Sequence, residues 1–175
     1  MRWLLYFALC GGLVSPAFAT ILLPADLPTI AVEAGTIVHG RVVDVRSVLA
    51  GPRRTIESYV TLDVIESLKG AAGASVIFRV PNGQVGRYRR VLVGAPEFAP
   101  GDEVVVFLRG RAPAMPALYG LSQGAYRVVR SSEGAAVTPA ANPDVGPAVR
   151  GDAARRPVPM REFVRQVTAI LERSR

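Results

Sequence analysis

The chain has 175 residues, half of them hydrophobic, and its 21 basic against 14 acidic side chains give a formal charge of +7. A single histidine and a single cysteine, Cys10, cannot assemble the usual zinc ligand sets, and a lone cysteine excludes a disulfide scaffold. Phosphate loops and dinucleotide fingerprints are absent from the sequence, as are internal repeats.

Residues Met1 to Ala19 read as a cleavable export signal: Arg2, an apolar run from Trp3 to Val14, then the small-residue stretch Ser15-Pro16-Ala17-Phe18-Ala19. The run is well short of the roughly 20 residues that a membrane-spanning helix needs. Lipid attachment at Cys10 requires a small residue before it, and Leu9 stands there. Cleavage after Ala19 leaves a thiol-free chain that begins at Thr20, carries a charge of +6 and works in the periplasm or outside the cell. Such a basic surface favours anionic partners. Twenty arginines against the one lysine, Lys69, in a chain rich in Ala, Gly, Val and Pro nevertheless read chiefly as the imprint of a GC-rich genome.

Ala25 to Ala34 is expected to hold a short helix interrupted by Pro28. From Thr36 to Thr138 the apolar residues alternate or cluster in short β-branched runs punctuated by Gly and Pro, the pattern of an all-β domain. The strands fall at Ile37 to Ser47, Thr55 to Leu68, Ser75 to Val80, Val91 to Val93, Val104 to Arg109 and Ala125 to Arg130. Val60, Leu62 and Val64 alternate with Thr61 and Asp63, as a half-buried strand requires. Turn residues separate the runs, at Gly51-Pro52, Pro81-Asn82-Gly83, Pro100-Gly101-Asp102 and Ser132-Glu133-Gly134. Residues 20–138 therefore form the β-domain, and 139–158 read as a Pro/Ala-rich linker. Residues 159–175 hold a C-terminal amphipathic helix, with Met160, Phe163, Val164, Val167, Ile170 and Leu171 on one face. Such a helix ordinarily docks on its own domain.

Three patterns bear on chemistry. Gly120-Leu121-Ser122-Gln123-Gly124 fits the G-x-S-x-G form of a hydrolase elbow, but the elbow needs a helix after the serine and a histidine later in the chain. A strand follows here and His39 lies upstream, so the glycines read as a hairpin or bulge. His39 itself reads as a surface-strand residue able to titrate near neutral pH. Glu97, Asp102 and Glu103, around the Pro100-Gly101 turn, are the carboxylates available for acid and base work, and an acidic turn is their plainer reading. The densest basic patch is Arg87-Tyr88-Arg89-Arg90, where guanidinium groups could grip anions beside a stacking ring.

Ile37 to Val42, the strand ending Leu68-Lys69-Gly70, and Phe98-Ala99-Pro100-Gly101-Asp102 followed by Val106-Phe107-Leu108 resemble small exported bacterial proteins of unassigned function. More distantly the layout is similar to the netrin-like module of tissue inhibitors of metalloproteinases, over roughly residues 20–130. That resemblance implies a five-stranded barrel of the OB type. It also implies a possible inhibitory role for the free N-terminus, with the amine and carbonyl of Thr20 chelating a protease zinc. The disulfides and leading cysteine of that module have no counterpart here.

The reading is of a mainly β protein, a small OB-like β-barrel with a C-terminal amphipathic helix, acting as an exported, non-enzymatic binding module without cofactor or metal. Its binding residues are expected at Arg87, Tyr88, Arg89 and Arg90, with Thr20 for the inhibitor alternative. The expected partner is another envelope or secreted protein, or else an anionic envelope component. Export argues against nucleic acid.

Overall fold

A computed structural model describes residues 25–110, 114–140 and 157–174. The export signal, Thr20 and most of the expected linker lie outside these residues.

Two 15-residue strands, β1 (Thr36–Ala50) and β2 (Thr55–Lys69), pair antiparallel around a tight turn. Irregularities in their register at His39/Gly40 and Val42/Asp44 bend the ribbon. β3 (Ser75–Val80) adds to the other edge of β2. After an excursion through the small hairpin of β4 (Gly83–Val85) and β5 (Tyr88–Arg90), β6 (Glu103–Arg109) pairs with the start of β1, placing Ile37 opposite Phe107. β7 (Ala117–Leu118) then runs antiparallel to β6 and parallel to β3, which closes a mixed barrel of five strands. β8 (Ala125–Ser131) continues along the same edge of β6 as β7, and β9 (Gly134–Pro139) and β10 (Val158–Pro159) extend the sheet outward.

β6 explains why this arrangement has two cores. Val104, Val106 and Leu108 point into the barrel with Val38, Val42, Val60, Leu62 and Phe78, while Val105 and Phe107 point the other way. All five residues from Val104 to Leu108 have no solvent exposure. A strand buried on both faces reads as an unbroken apolar run, as the sequence Val-Val-Val-Phe-Leu does.

Two helices cover the outer face. α1 (Leu27–Glu33) buries Leu27, Ile30 and Ala31, and α2 (Met160–Arg173) buries Phe163, Val167 and Ile170. Their cluster is knit by three rings: Phe107 to Tyr126 at 5.8 Å, Tyr126 to Phe163 at 4.8 Å and Phe107 to Phe163 at 6.3 Å between centroids. Removing each such side chain from water contributes about 1.5–3 kcal/mol.

α1 is too short to persist unaided, and both its ends are capped. Asp26 accepts from the Thr29 amide at 2.9 Å, and hydrogen bonding from the Thr29 side chain and then its amide holds the Asp26 carboxyl below its usual range. At the other end Lys69 Nζ donates to the Ala31 and Val32 carbonyls at 2.9 and 2.7 Å, a cation at the negative pole of the helix.

Several expectations need correction. Pro28 stands in the first turn of α1 and does not interrupt it, because a first-turn proline has no hydrogen bond to lose. Val91 to Val93 is not a strand: the segment has no ladder partner, and Val91 and Val93 are 49% and 59% exposed. Pro139 and Val158 belong to β9 and β10, so a paired strand stands at each end of the expected linker. The Gly120 to Gly124 stretch forms a 3-10 turn at Leu121–Gly124, not a hairpin or bulge, because β7 and β8 follow the same edge of β6.

Candidate functional site

The excursion between β3 and β6 carries the basic patch. Its hairpin turns on Gly86-Arg87, with Val85 paired to Tyr88. Gly86 has φ +58°, the left-handed conformation that a two-residue turn with glycine first demands. The hairpin lies across the part of β1 and β2 that extends past the barrel. Polar contacts anchor it: the Ser58 hydroxyl donates to the Asn82 carbonyl at 2.7 Å, the Gln84 amide donates to Ser47 Oγ at 3.1 Å, and Arg90 donates to the Ile56 carbonyl at 3.1 Å. Gly83 sits where a side chain cannot, since a Cβ there would collide with both serine hydroxyls.

All four expected patch residues are thus brought onto one hairpin, but they do different things. Arg89 pairs with Glu97 at 2.8 Å and Arg90 is engaged on the β2 backbone. Arg87 lies over the Tyr88 ring, 5.1 Å from its centroid, and donates to the Tyr88 hydroxyl at 3.0 Å. Tyr88 is 63% exposed and Arg87 is exposed beside it. The outward part of the patch is therefore a stacked Arg87–Tyr88 pair, close in sequence to exposed Val91 and Val93.

Beneath the hairpin is a cavity of about 260 Å³. Val45 and Phe98 supply its apolar surface, Ser47, Ser58 and Asn82 its polar wall, and Arg89 and Glu97 stand at it as an ion pair. Ser58 and Asn82 are buried and hydrogen-bonded, Asn82 Nδ2 donating to the Pro96 carbonyl at 2.9 Å. A second cleft, of about 330 Å³, lies between the β1–β2 turn and the residues preceding β7, with Glu57, Tyr59, Arg79 and Met115 in its lining. It occupies the strand face and loops at which OB-type barrels commonly bind.

The carboxylates thought available for acid and base work are separately neutralised. Glu97 is held by Arg89, and Asp102 by Arg127 at 2.7 Å while it accepts from the Ala99 amide. Glu103 accepts from Arg130 at 2.6 and 3.0 Å and bonds His39 Nε2 at 2.8 Å, with Arg41 at 3.6 Å. The Arg130 hydrogen bonds, aided by His39, hold the Glu103 carboxyl below its usual range against the opposing effect of burial. His39 is accordingly not a surface residue: it is buried, 6% exposed, on the face of β1 that continues the helix-covered cluster. Alternation placed it on the outer face, but gave no sign that the outer face is covered too. None of the cavities described here is lined by His39.

Ser122 is buried, with the 3-10 turn around it and β8 after it. Its neighbour Gln123 has a role that the sequence did not suggest: the buried side chain accepts from the Ala25 amide at 2.7 Å and fixes the entry of the chain into α1. Among the described residues no group of three or more His, Cys, Asp or Glu could hold a metal, and no helix is long and apolar enough to cross a membrane. No family model, curated protein or solved structure matches the chain.

Proposed function

We propose that the protein is an exported, non-catalytic binding module that recognises another envelope or secreted protein through the exposed side of the β4–β5 hairpin. The observation that carries this reading is the solvent-facing Arg87–Tyr88 pair, with Val91 and Val93 exposed just after it. Tyrosine and arginine are enriched among the hot spots of protein interfaces, because each combines a large contact area with a polar handle. Stacking one on the other reduces the rotamer freedom lost on binding. A polyanion would be gripped better by a row of outward guanidinium groups, whereas Arg89 and Arg90 are engaged within the hairpin's own supports. The net positive charge favours a partner with an acidic rim.

The test compares the parent protein with an Arg87→Ala/Tyr88→Ala double variant as baits in envelope extract, and with heparin and anionic vesicles as separate probes. One or a few proteins retained by the parent and lost by the variant is the expected result. Equal retention by both baits would remove the hairpin from the interface. Heparin or vesicle binding that the variant loses, without any protein partner, would replace this reading with recognition of an anionic envelope component.

A second reading is protease inhibition through the amine of Thr20. What favours it is the Gln123 contact, which ties the chain at Ala25, five residues after Thr20, without a disulfide. An added alanine before Thr20 should abolish inhibition of exported metalloproteases and leave the fold intact. Equal inhibition with and without that alanine would exclude chelation.

A further inference from the structure

We propose that the cavity beneath the hairpin is a subsite for one pyranose ring of a hydroxyl-rich ligand. Hydrogen counting carries the argument. The Asn82 carbonyl can only accept, so the single hydroxyl proton of Ser58 is committed to it. In the Ser47–Ser58 contact at 3.0 Å the donor must then be Ser47. Ser47 also accepts from the Gln84 amide. Both serines have thus spent their protons, and each keeps acceptor capacity alone. The wall they form accepts hydrogen bonds and offers none.

Glu97 adds a carboxylate, an acceptor, while donors stand beside it in Arg89 and in the side-chain amides of Asn82 and Gln84, each of which spends one N–H on a backbone carbonyl. A carboxylate can only accept, and inorganic phosphate, although it keeps one or two protons near neutral pH, would set its charged oxygens against the serine lone pairs and the Glu97 carboxylate. A sugar hydroxyl both donates and accepts, so it can bond the wall with its proton and take one from Arg89. The partly exposed Val45 and Phe98 present an apolar surface for the C–H face of the same ring. The volume is just under the range of drug-sized pockets, which begins at about 300 Å³, and suits a single ring rather than a chain. This ligand class is unlike the one that the positive net charge alone suggests.

The test is a titration of the ¹⁵N-labelled protein, followed by amide spectra, with glucose, N-acetylglucosamine, glucuronate, inorganic phosphate and putrescine as the probes. The expected result is saturable shifts with at least one neutral pyranose, centred on Ser47, Ser58, Gln84 and Phe98, and weaker or no response to glucuronate and phosphate. Ser47→Ala should weaken the sugar about fivefold, the effect of losing one hydrogen bond. Should that change loosen the hairpin, Glu97→Gln, at a half-exposed position, keeps the test open and should also weaken binding. No saturable response to either neutral sugar at tens of millimolar would overturn the proposal. So would phosphate, glucuronate or putrescine shifting the same amides as strongly as the sugars. Tyr88 is not among the lining residues, so failure here leaves the hairpin interface standing, and the Arg87→Ala/Tyr88→Ala variant should bind sugar like the parent.

Discussion

β6 and the β4–β5 hairpin are built by opposite rules. β6 is held by apolar contact on both faces, and its five central residues have no exposure at all. The hairpin has two strands of three residues and is anchored by serine hydroxyls, an asparagine amide and an arginine, with its aromatic residue left in solvent. Hydrophobic burial is non-directional and tolerates small shifts, whereas the hydrogen bonds under the hairpin fix its place to a fraction of an ångström. The first kind of region stabilises the molecule, and the second positions a surface on it.

Substitutions should separate the two. Phe107→Ala removes the ring that packs on both Tyr126 and Phe163, and by the usual cost of emptying an aromatic core site should destabilise the protein by about 3–5 kcal/mol in urea denaturation. A loss below about 1 kcal/mol would mean that the helical layer contributes little to stability. Gly83→Ala forces a Cβ onto two serine hydroxyls at φ +144°, strain of about 1–3 kcal/mol. Its effect should be local, with hydrogen exchange accelerated from Gly83 to Arg90 and unchanged in β6. Acceleration in both regions would show that the hairpin and the barrel unfold as one unit.

Glu103→Gln probes the border of the outer core. The folded protein holds this carboxyl below its unfolded value, so its contribution is present above the unfolded pKa and is lost as pH falls through the folded one. The variant should lose about 1.5–3 kcal/mol at neutral pH, the usual worth of hydrogen bonds to a charged group, and show a flatter acid limb. An unchanged acid limb would indicate that Arg130 and His39 are not held on Glu103 in solution. The smallest effect belongs to Arg87→Ala, which should leave the denaturation midpoint unmoved. Measurable destabilisation would count Arg87 among the hairpin's anchors and weaken its assignment to the interface.

The same contrast decides what could be read from the sequence. β2, β3 and α2 were legible because burial on one side imposes a period, as Val60-Thr61-Leu62-Asp63-Val64 and Phe163-Val167-Ile170 display, and β6 because burial on both faces leaves an unbroken apolar run. The small residues of β9, Gly134-Ala135-Ala136-Val137-Thr138-Pro139, carry almost no period, and β7 is two residues long. Val91-Leu92-Val93 has strand composition without a strand, since composition does not supply a pairing partner. At the candidate site the basic run itself was visible, but its division was not. Glu97 lies eight residues from Arg89 and Ile56 lies thirty-four from Arg90, and only the folded chain brings these partners together. The Ser47–Ser58 pair under the hairpin is set by the register of β1 and β2, which depends on bulges that leave no clear mark in the sequence.

Lys69 turns one of these structural contacts into a chemical reporter. It is the sole lysine among 21 basic residues, so apart from the chain's terminal amine it is the only primary amine an acylating reagent can reach. Its ammonium is held on the last carbonyls of α1, and burial pulls its pKa below the ordinary lysine value. Acylation requires the free amine and therefore departure from those carbonyls, after which the neutral amide can no longer cap the helix with its charge. The rate at which a single label enters would thus measure how often the Lys69 side chain leaves the end of α1, without any engineered probe.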